Sequence, residues 1–170
     1  MIDRLTVRPE KVQDIERINQ IIRSAFKEIS YSNQKEHLLV SDLRQNNALT
    51  LSLVAERDNE ILGHIAFSEV TIDDKFMFWY GLAPVSVDPE YQNQGVGSTL
   101  IEYWSIQPAK AWFQWLRIGG RTGLLQPFGF QHQNNLTCER VLEEYFLMQS
   151  FNEEIPSGRV KYHQLFKKYG

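Results

Sequence analysis

Apolar and polar positions along this chain follow two different periods, and the changes of period mark its elements. Leu5 to Arg8 reads as a short strand, closed by Pro9. Val12, Ile15, Ile18, Ile22, Ala25 and Phe26 then recur at helical spacing with charges between them, which predicts an amphipathic helix. Leu38, Leu39 and Leu43 predict a second, shorter helix from Glu36 to Gln45. Thr50 to Glu56 alternates and is rich in strand formers. Arg57 to Glu60 reads as a hairpin turn, Ile61 to Ile72 as the return strand, and Asp73-Asp74-Lys75 as a second turn into the apolar run Met77 to Val87. The expected order is β-α-α-β-β-β, with the three later strands in an antiparallel meander.

Asp88 to Tyr91 turns the chain into Gln92-Asn93-Gln94-Gly95-Val96-Gly97-Ser98, and Thr99, Leu100 and Ile101 open a helix there. Beyond Trp104 the periodicity fails. Pro108 would stand in the third turn of that helix, where its missing amide hydrogen and its ring cost ~3 kcal/mol. Arg117 to Gly123 is basic and glycine-rich, order returns near Phe128, and Glu144 to Phe151 resembles a late strand. No repeat and no Gly/Ser/Pro-rich linker interrupts residues 1–170, so one domain is expected.

Charge and composition narrow the function. The 18 basic and 21 acidic side chains leave a net charge of −3, which excludes a nucleic-acid binder that works by bulk basicity. A single cysteine, Cys138, excludes a disulfide framework and a cysteine-rich metal centre. His37, His132 and His163 lack ligand-like spacing, so no metal is expected. No run of ~18 apolar residues exists and the start is polar, so a soluble, cytoplasmic protein without membrane or nucleic-acid partners is expected. One stretch is foreign to this average. Trp104, Trp112 and Trp115 fall within twelve residues, and no Asp or Glu occurs from Tyr103 to Cys138, where the chain's own average predicts about four.

A strand that runs into the loop Gln92-x-x-Gly95-x-Gly97 and then a helix is one way to build an anion site. The first amides of a helix have no partner inside it, the dipole adds positive charge, and glycine lets the backbone approach closely. A tight strand-to-helix turn without a ligand is the competing reading of these residues. A P-loop is excluded, because Ser98 and Thr99 follow Gly97 with no lysine. A dinucleotide fingerprint is excluded too: Leu100 stands where its third glycine belongs, and the preceding strands are antiparallel.

In order along the chain, GHIAFSEVTI, WYGLAPVSVDPEYQNQGVGSTLI and PFGFQ resemble the GNAT superfamily of acetyl-CoA-dependent N-acyltransferases, in particular a bacterial subgroup of N-acetyltransferases. The tail GRVKYHQLF (Gly158 to Phe166) resembles the subgroup's ending. The resemblance implies an α/β fold of the α+β type, a mixed and mainly antiparallel sheet flanked by helices. It implies that main-chain amides of Gln92, Asn93, Gln94, Gly95, Val96, Gly97 and Ser98 hold the pyrophosphate of acetyl-CoA. Main-chain groups of Val85, Ser86 and Val87 would pair with pantetheine, on a strand that carries a bulge and splays from a parallel neighbour. Acetyl transfer would then run directly to a small-molecule or protein amine, with an amide near Val85 as oxyanion donor; a homodimer is left open. No catalytic residue is assigned. His64 and Glu69 point to opposite faces of one strand, and either could serve as base if it faced the cleft; a hydrogen-bonded, half-buried role is favoured for both. Trp79 and Tyr80 are expected in the core, and Cys138 as a small buried side chain.

Residues 104–127 depart from that family. It would continue the helix, add a parallel strand, and reach a tyrosine pair before Phe128-Gly129-Phe130, one tyrosine protonating the departing thiolate. Here Leu124-Leu125-Gln126-Pro127 precedes Phe128, so both the strand and the acid are expected to be missing. Translation in a shifted frame explains the departure and the composition together. Read one base later, permitted codons turn each tryptophan into glycine and place Gly-Cys-Val-Leu-Val-Gly at positions 115–120, followed by Tyr-Tyr-Ser-Arg before Phe128. The shift leaves two outcomes open: a protein that carries the restored segment, or one that has lost a strand and an acid and survives as a non-catalytic acyl-CoA-binding or interaction protein.

Overall fold

A computed structural model describes residues 4–30, 32–105, 114–118, 125–139, 146–150 and 155–169. The chain opens with β1 (Thr6–Pro9), a 3₁₀ turn at Val12–Asp14, α1 (Ile15–Phe26) and α2 (Glu36–Gln45). The meander follows as β2 (Leu49–Arg57), β3 (Glu60–Ile72) and β4 (Lys75–Val87). Next come α3 (Val96–Ser105), β5 (Gln114–Ile118), β6 (Leu136–Cys138), β7 (Phe146–Gln149), β8 (Gly158–Tyr162) and α4 (Leu165–Tyr169). The helix α2 has the bounds read from its leucines. Val12 departs from expectation: it is 87% exposed, because the 3₁₀ turn breaks the 3.6-residue register before α1 begins.

The sheet runs β1-β2-β3-β4-β5-β7, and β8 extends the free edge of β3 while pairing with β6. Only β4–β5 and β6–β8 are parallel among the described pairs. The two faces of the meander are covered differently, as period-2 alternation requires. Leu53, Leu62, Ile65 and Phe67 pack with Val96, Leu100 and Ile101 of α3. Val54 and Ala66 face the other way, onto Ile18, Ile21 and Ile22 of α1 and Val40 of α2. Trp79 lies in a third cluster with Val70, Ile72, Phe146, Met148 and Val160, so the expected core placement of Trp79 and Tyr80 holds.

The parallel strand expected to be missing is present. Gln114–Ile118 pairs with Trp79–Leu82 of β4 on one side and Phe146–Gln149 of β7 on the other. Ladder bonds join main chains, so a stretch free of proline and glycine can fill the slot whatever its side chains. Where the resemblance implies a tyrosine pair, Leu125 is buried and Gln126–Phe128 forms a 3₁₀ turn. Pro108 and the Gly119–Gly123 segment lie outside the described residues.

Close approach of α3 to β3 depends on Gly63. A Cβ there would meet Val96 Cγ1 at 2.8 Å and Leu100 Cδ1 and the Ser86 carbonyl at 3.2 Å. Gly63→Ala is expected to push α3 outward and cost about 1–2 kcal/mol. Thermal unfolding should show Tm lowered by roughly 2–8 °C.

Candidate functional site

The strand β4 is paired on both sides up to Leu82 and then loses its β5 neighbour among the described residues. The change coincides with a bulge. Leu82 pairs with Phe67 and Val85 with Ile65, so Ala83 and Pro84 together oppose Ala66. A bulge bends its strand and increases the local twist, which turns the Val85–Val87 edge away from the direction of β5. Val85 and Val87 are half-buried, and Ser86 is buried.

The open edge runs straight into the loop that starts α3. The loop is tied down by side-chain bonds, and the Tyr91 and Gln92 amides close its 3₁₀ turn onto the Asp88 and Pro89 carbonyls, at 2.8 and 3.5 Å, so the Gln92 amide is already engaged. Arg17 Nη2 of α1 donates to Asp88 Oδ2 at 2.7 Å and Arg17 Nε to the Ile61 carbonyl at 3.2 Å. Asp88 Oδ1 accepts from the Glu90 amide at 3.1 Å. Gln92 Nε2 donates to the Val87 carbonyl at 3.2 Å, and Gln94 Nε2 to the Glu90 carbonyl at 2.8 Å. The turn itself needs left-handed backbone at Asn93 (φ 60°) and at Gly95 (φ 92°). Helix bonding starts with the Thr99 amide to the Gly95 carbonyl at 2.9 Å. Helix geometry therefore leaves the amides of Val96, Gly97 and Ser98 without intrahelical acceptors, at the positive end of the dipole.

A buried polar network lies on the α1/α2 face of the sheet. Arg44 of α2 donates to both oxygens of Glu10, at 2.6 and 2.8 Å. Ser52 Oγ of β2 donates to Glu10 Oε2 and meets Nε2 of His64 at 2.8 Å. Burial favours the uncharged form of Glu10, but the bonds from Arg44 and Ser52 outweigh it and hold the carboxyl below its usual range. His64 has no exposed surface, where half-burial was expected, because it lies between β2 and β4 beneath the helices. Burial pushes its imidazole down to about 4, with Glu10 opposing and Arg44 adding to the shift. His64 is thus neutral, and its 3.9 Å approach to Glu10 is no ion pair. Glu69, exposed on the other face, is separate from this network. Cys138 is half-buried rather than buried, and burial, then Glu139, push its thiol up to about 11. No cluster that could hold a metal ion occurs among the described residues. No helix of the described residues is long and apolar enough to cross a membrane.

The open β4 edge and the loop were legible in the sequence; the network was not. Its one signal was polar residues at positions where alternation demands apolar ones: Ser52, His64, Ser68 and Ser86.

A central parallel pair whose pairing, among the described residues, ends at a bulge above a helix-initiating glycine loop is the architecture of the acyl-CoA N-acyltransferases. Comparisons with known proteins agree. The family model of the GNAT acetyltransferase domain matches residues 48–132. The N-acetyltransferase YhbS of Escherichia coli K12 is 28% identical over 97% of this chain and 100% of its own length. A GNAT family acetyltransferase from Brucella melitensis, solved with acetyl-CoA, superposes with a TM-score of 0.83 at 40% identity, over 96% of this chain and 98% of its own. YhbS, solved with CoA, gives 0.86 at 29% identity over 98% and 94%. The chain belongs to the GNAT acetyltransferase family, with its mixed, mainly antiparallel sheet flanked by helices.

Proposed function

We propose that this protein is a cytoplasmic N-acetyltransferase that moves the acetyl group of acetyl-CoA directly to an amine in a ternary complex. The carrying observation is the continuity of the β4 edge at residues 85–87, which has no strand partner beyond β3 among the described residues, with the amides that open α3. An extended pantetheine can add to that edge as a strand would, and the pyrophosphate then falls at Gln92 to Ser98. Main-chain recognition needs no lysine, which suits a chain of net charge −3. Relatives at 40% and 29% identity were solved with acetyl-CoA and CoA, which supports the same ligand here.

Acetyl-CoA supplies the activated acyl group. The protein must align a neutral amine with the thioester carbon and stabilise the oxyanion, for which the Val85 amide is the donor. The N–C bond forms, the C–S bond breaks, and the electron pair leaves on sulfur. A thiolate with a pKa near that of cysteine, about 8.5, departs without a protonating tyrosine at modest cost.

Calorimetric titration with acetyl-CoA, followed by thiol release across a panel of primary amines, tests the reading. Binding with thiol release is expected. No binding of acetyl-CoA or CoA defeats the site, and binding without thiol release assigns the fold to a non-catalytic acyl-CoA-binding role.

The strand at Gln114–Ile118 forms from the residues as written, so a missing strand no longer argues for the shifted frame over residues 104–127, which rests on the absent tyrosine pair and the local composition. Intact mass and the coding DNA read together decide this: a mass matching four tryptophans rejects the restored segment.

A further inference from the structure

The start of β4 breaks the pattern of the rest of the sheet. Phe76, Met77 and Phe78 are 41, 43 and 57% exposed, three consecutive large apolar side chains, and the next residue, Trp79, is in the core. Thr71 pairs with Phe76 and Glu69 with Tyr80, so Met77, Phe78 and Trp79 together oppose Val70. This second bulge holds Phe78 at φ 58°, an outlier for a bulky residue. Bulges re-aim side chains, and backbone strain gathers at ligand sites. Core packing gives no reason for the strain, because Phe78 is the most exposed of the three.

Three rings meet at this bulge. The Phe76 centroid is 5.0 Å from that of Phe78, at 56°, and 5.9 Å from that of Tyr80, at 81°. Rings so inclined make the walls of a corner, where parallel rings would only stack. Glu69 lies directly across from Tyr80 on the same sheet face, with Cβ atoms roughly 5 Å apart. Burial and then the charge of Glu69 push the Tyr80 hydroxyl up, which agrees with a carboxylate beside that ring. Glu69 is exposed, and no cation pairs with it among the described residues. The basic side chains of neighbouring β8 are engaged elsewhere. Lys161, opposite Thr71, donates to both oxygens of Asp74 at 2.7 and 2.9 Å, and Arg159 donates to Glu139 at 2.7 Å. His163, just past β8, accepts the Leu165 amide on Nδ1 at 3.3 Å.

From this corner we infer that Phe76, Phe78, Tyr80 and Glu69 form a binding site for an organic ammonium cation, at the opposite end of β4 from the acyl-CoA edge. Aromatic faces are electron-rich and attract a cation within about 6 Å of the ring centroid, and Glu69 supplies the opposite charge. The chemistry selects this occupant over others. An apolar partner would strip water from Glu69 and return no hydrogen bond, which is costly for a carboxylate. An anion meets repulsion from the ring faces and from Glu69 together. A metal ion needs several oxygen or nitrogen donors and finds one carboxylate. The alkyl groups of an ammonium cation cover the exposed rings and the Met77 side chain, while its charge faces Glu69.

Titration of the whole protein with tetramethylammonium, read from the Met77 methyl and Phe78 ring resonances, tests the site. Contacts of this kind are individually modest at an exposed position, so the expected Kd is on the order of 1–10 mM. Tert-butanol, an uncharged probe of similar shape, should bind at least about tenfold more weakly. Phe78→Ala and Glu69→Gln should each weaken tetramethylammonium by about three- to tenfold, with acetyl-CoA binding unchanged in both. Equal binding of the two probes would reduce the corner to an apolar patch and overturn the site. So would resonances that stay unmoved up to about 100 mM tetramethylammonium, or a Kd that survives both substitutions. Binding is measured without acetyl-CoA, so failure of the acyl-CoA reading leaves this result standing, and the reverse holds as well.

Discussion

Gly95→Val is expected to weaken acetyl-CoA binding by about 100-fold while the protein stays folded. Gly95 sits at φ 92°, in a region where a β-branched residue is a steric outlier. Holding valine there costs on the order of 2–3 kcal/mol, and the exposed loop can relieve that strain by rotating the flanking peptides. Rotation turns the amides leading into Val96 and Gly97 away from the ligand. Because every 1.4 kcal/mol is tenfold in affinity, the loss lands near two orders of magnitude. Calorimetry with acetyl-CoA measures it, and a Kd within threefold of the unaltered protein would sink the assignment of this loop. Tm should move by only a few degrees, since the Arg17–Asp88 pair at 2.7 Å holds the base of the loop independently.

The second large effect is loss of stability in mild acid through His64. Its imidazole is pushed from 6.5 down to about 4 by burial. Between those values the unfolded chain binds a proton at this residue and the folded protein does not, so stability falls as pH falls. At about 1.4 kcal/mol per unit, the window from pH 6.5 to 4 removes about 3 kcal/mol. The contribution is fully present above pH 6.5. Asp14 adds a further loss at lower pH, because its bond from Arg8 outweighs burial and holds the carboxyl below its usual range. Urea unfolding at intervals between pH 7 and 4 should show this slope, and His64→Gln should flatten it. An unchanged slope in that variant would place the acid sensitivity elsewhere.

These two predictions draw on different depths of the sequence. The glycine loop follows from local chemistry: Gly95 and Gly97 after a strand and before a helix leave few backbone choices, and no distant residue is needed to read them. The bounds of α2 and the turns of the meander were equally local. Val12 was misread because its spacing suits a helix that starts three residues later. The strand β5 was missed because its ladder is written in main-chain bonds, which side-chain identity reports only weakly.

His64 shows the opposite case. Alternation assigns its face but not its neighbours, and those come from four separate elements: Glu10 after β1, Arg44 in α2, Ser52 in β2 and Ser86 in β4. The sequence by itself determined the order of elements from β1 to α3, the glycine loop that opens α3, and the family. Only the tertiary structure decided the full burial of His64, the polar groups it meets, and the placing of the β4 bulge at Ala83 and Pro84. The physical reason is one of range. Periodicity and turn chemistry act over a few residues, whereas register and buried hydrogen bonding are set by strands and helices that meet only when the chain has folded.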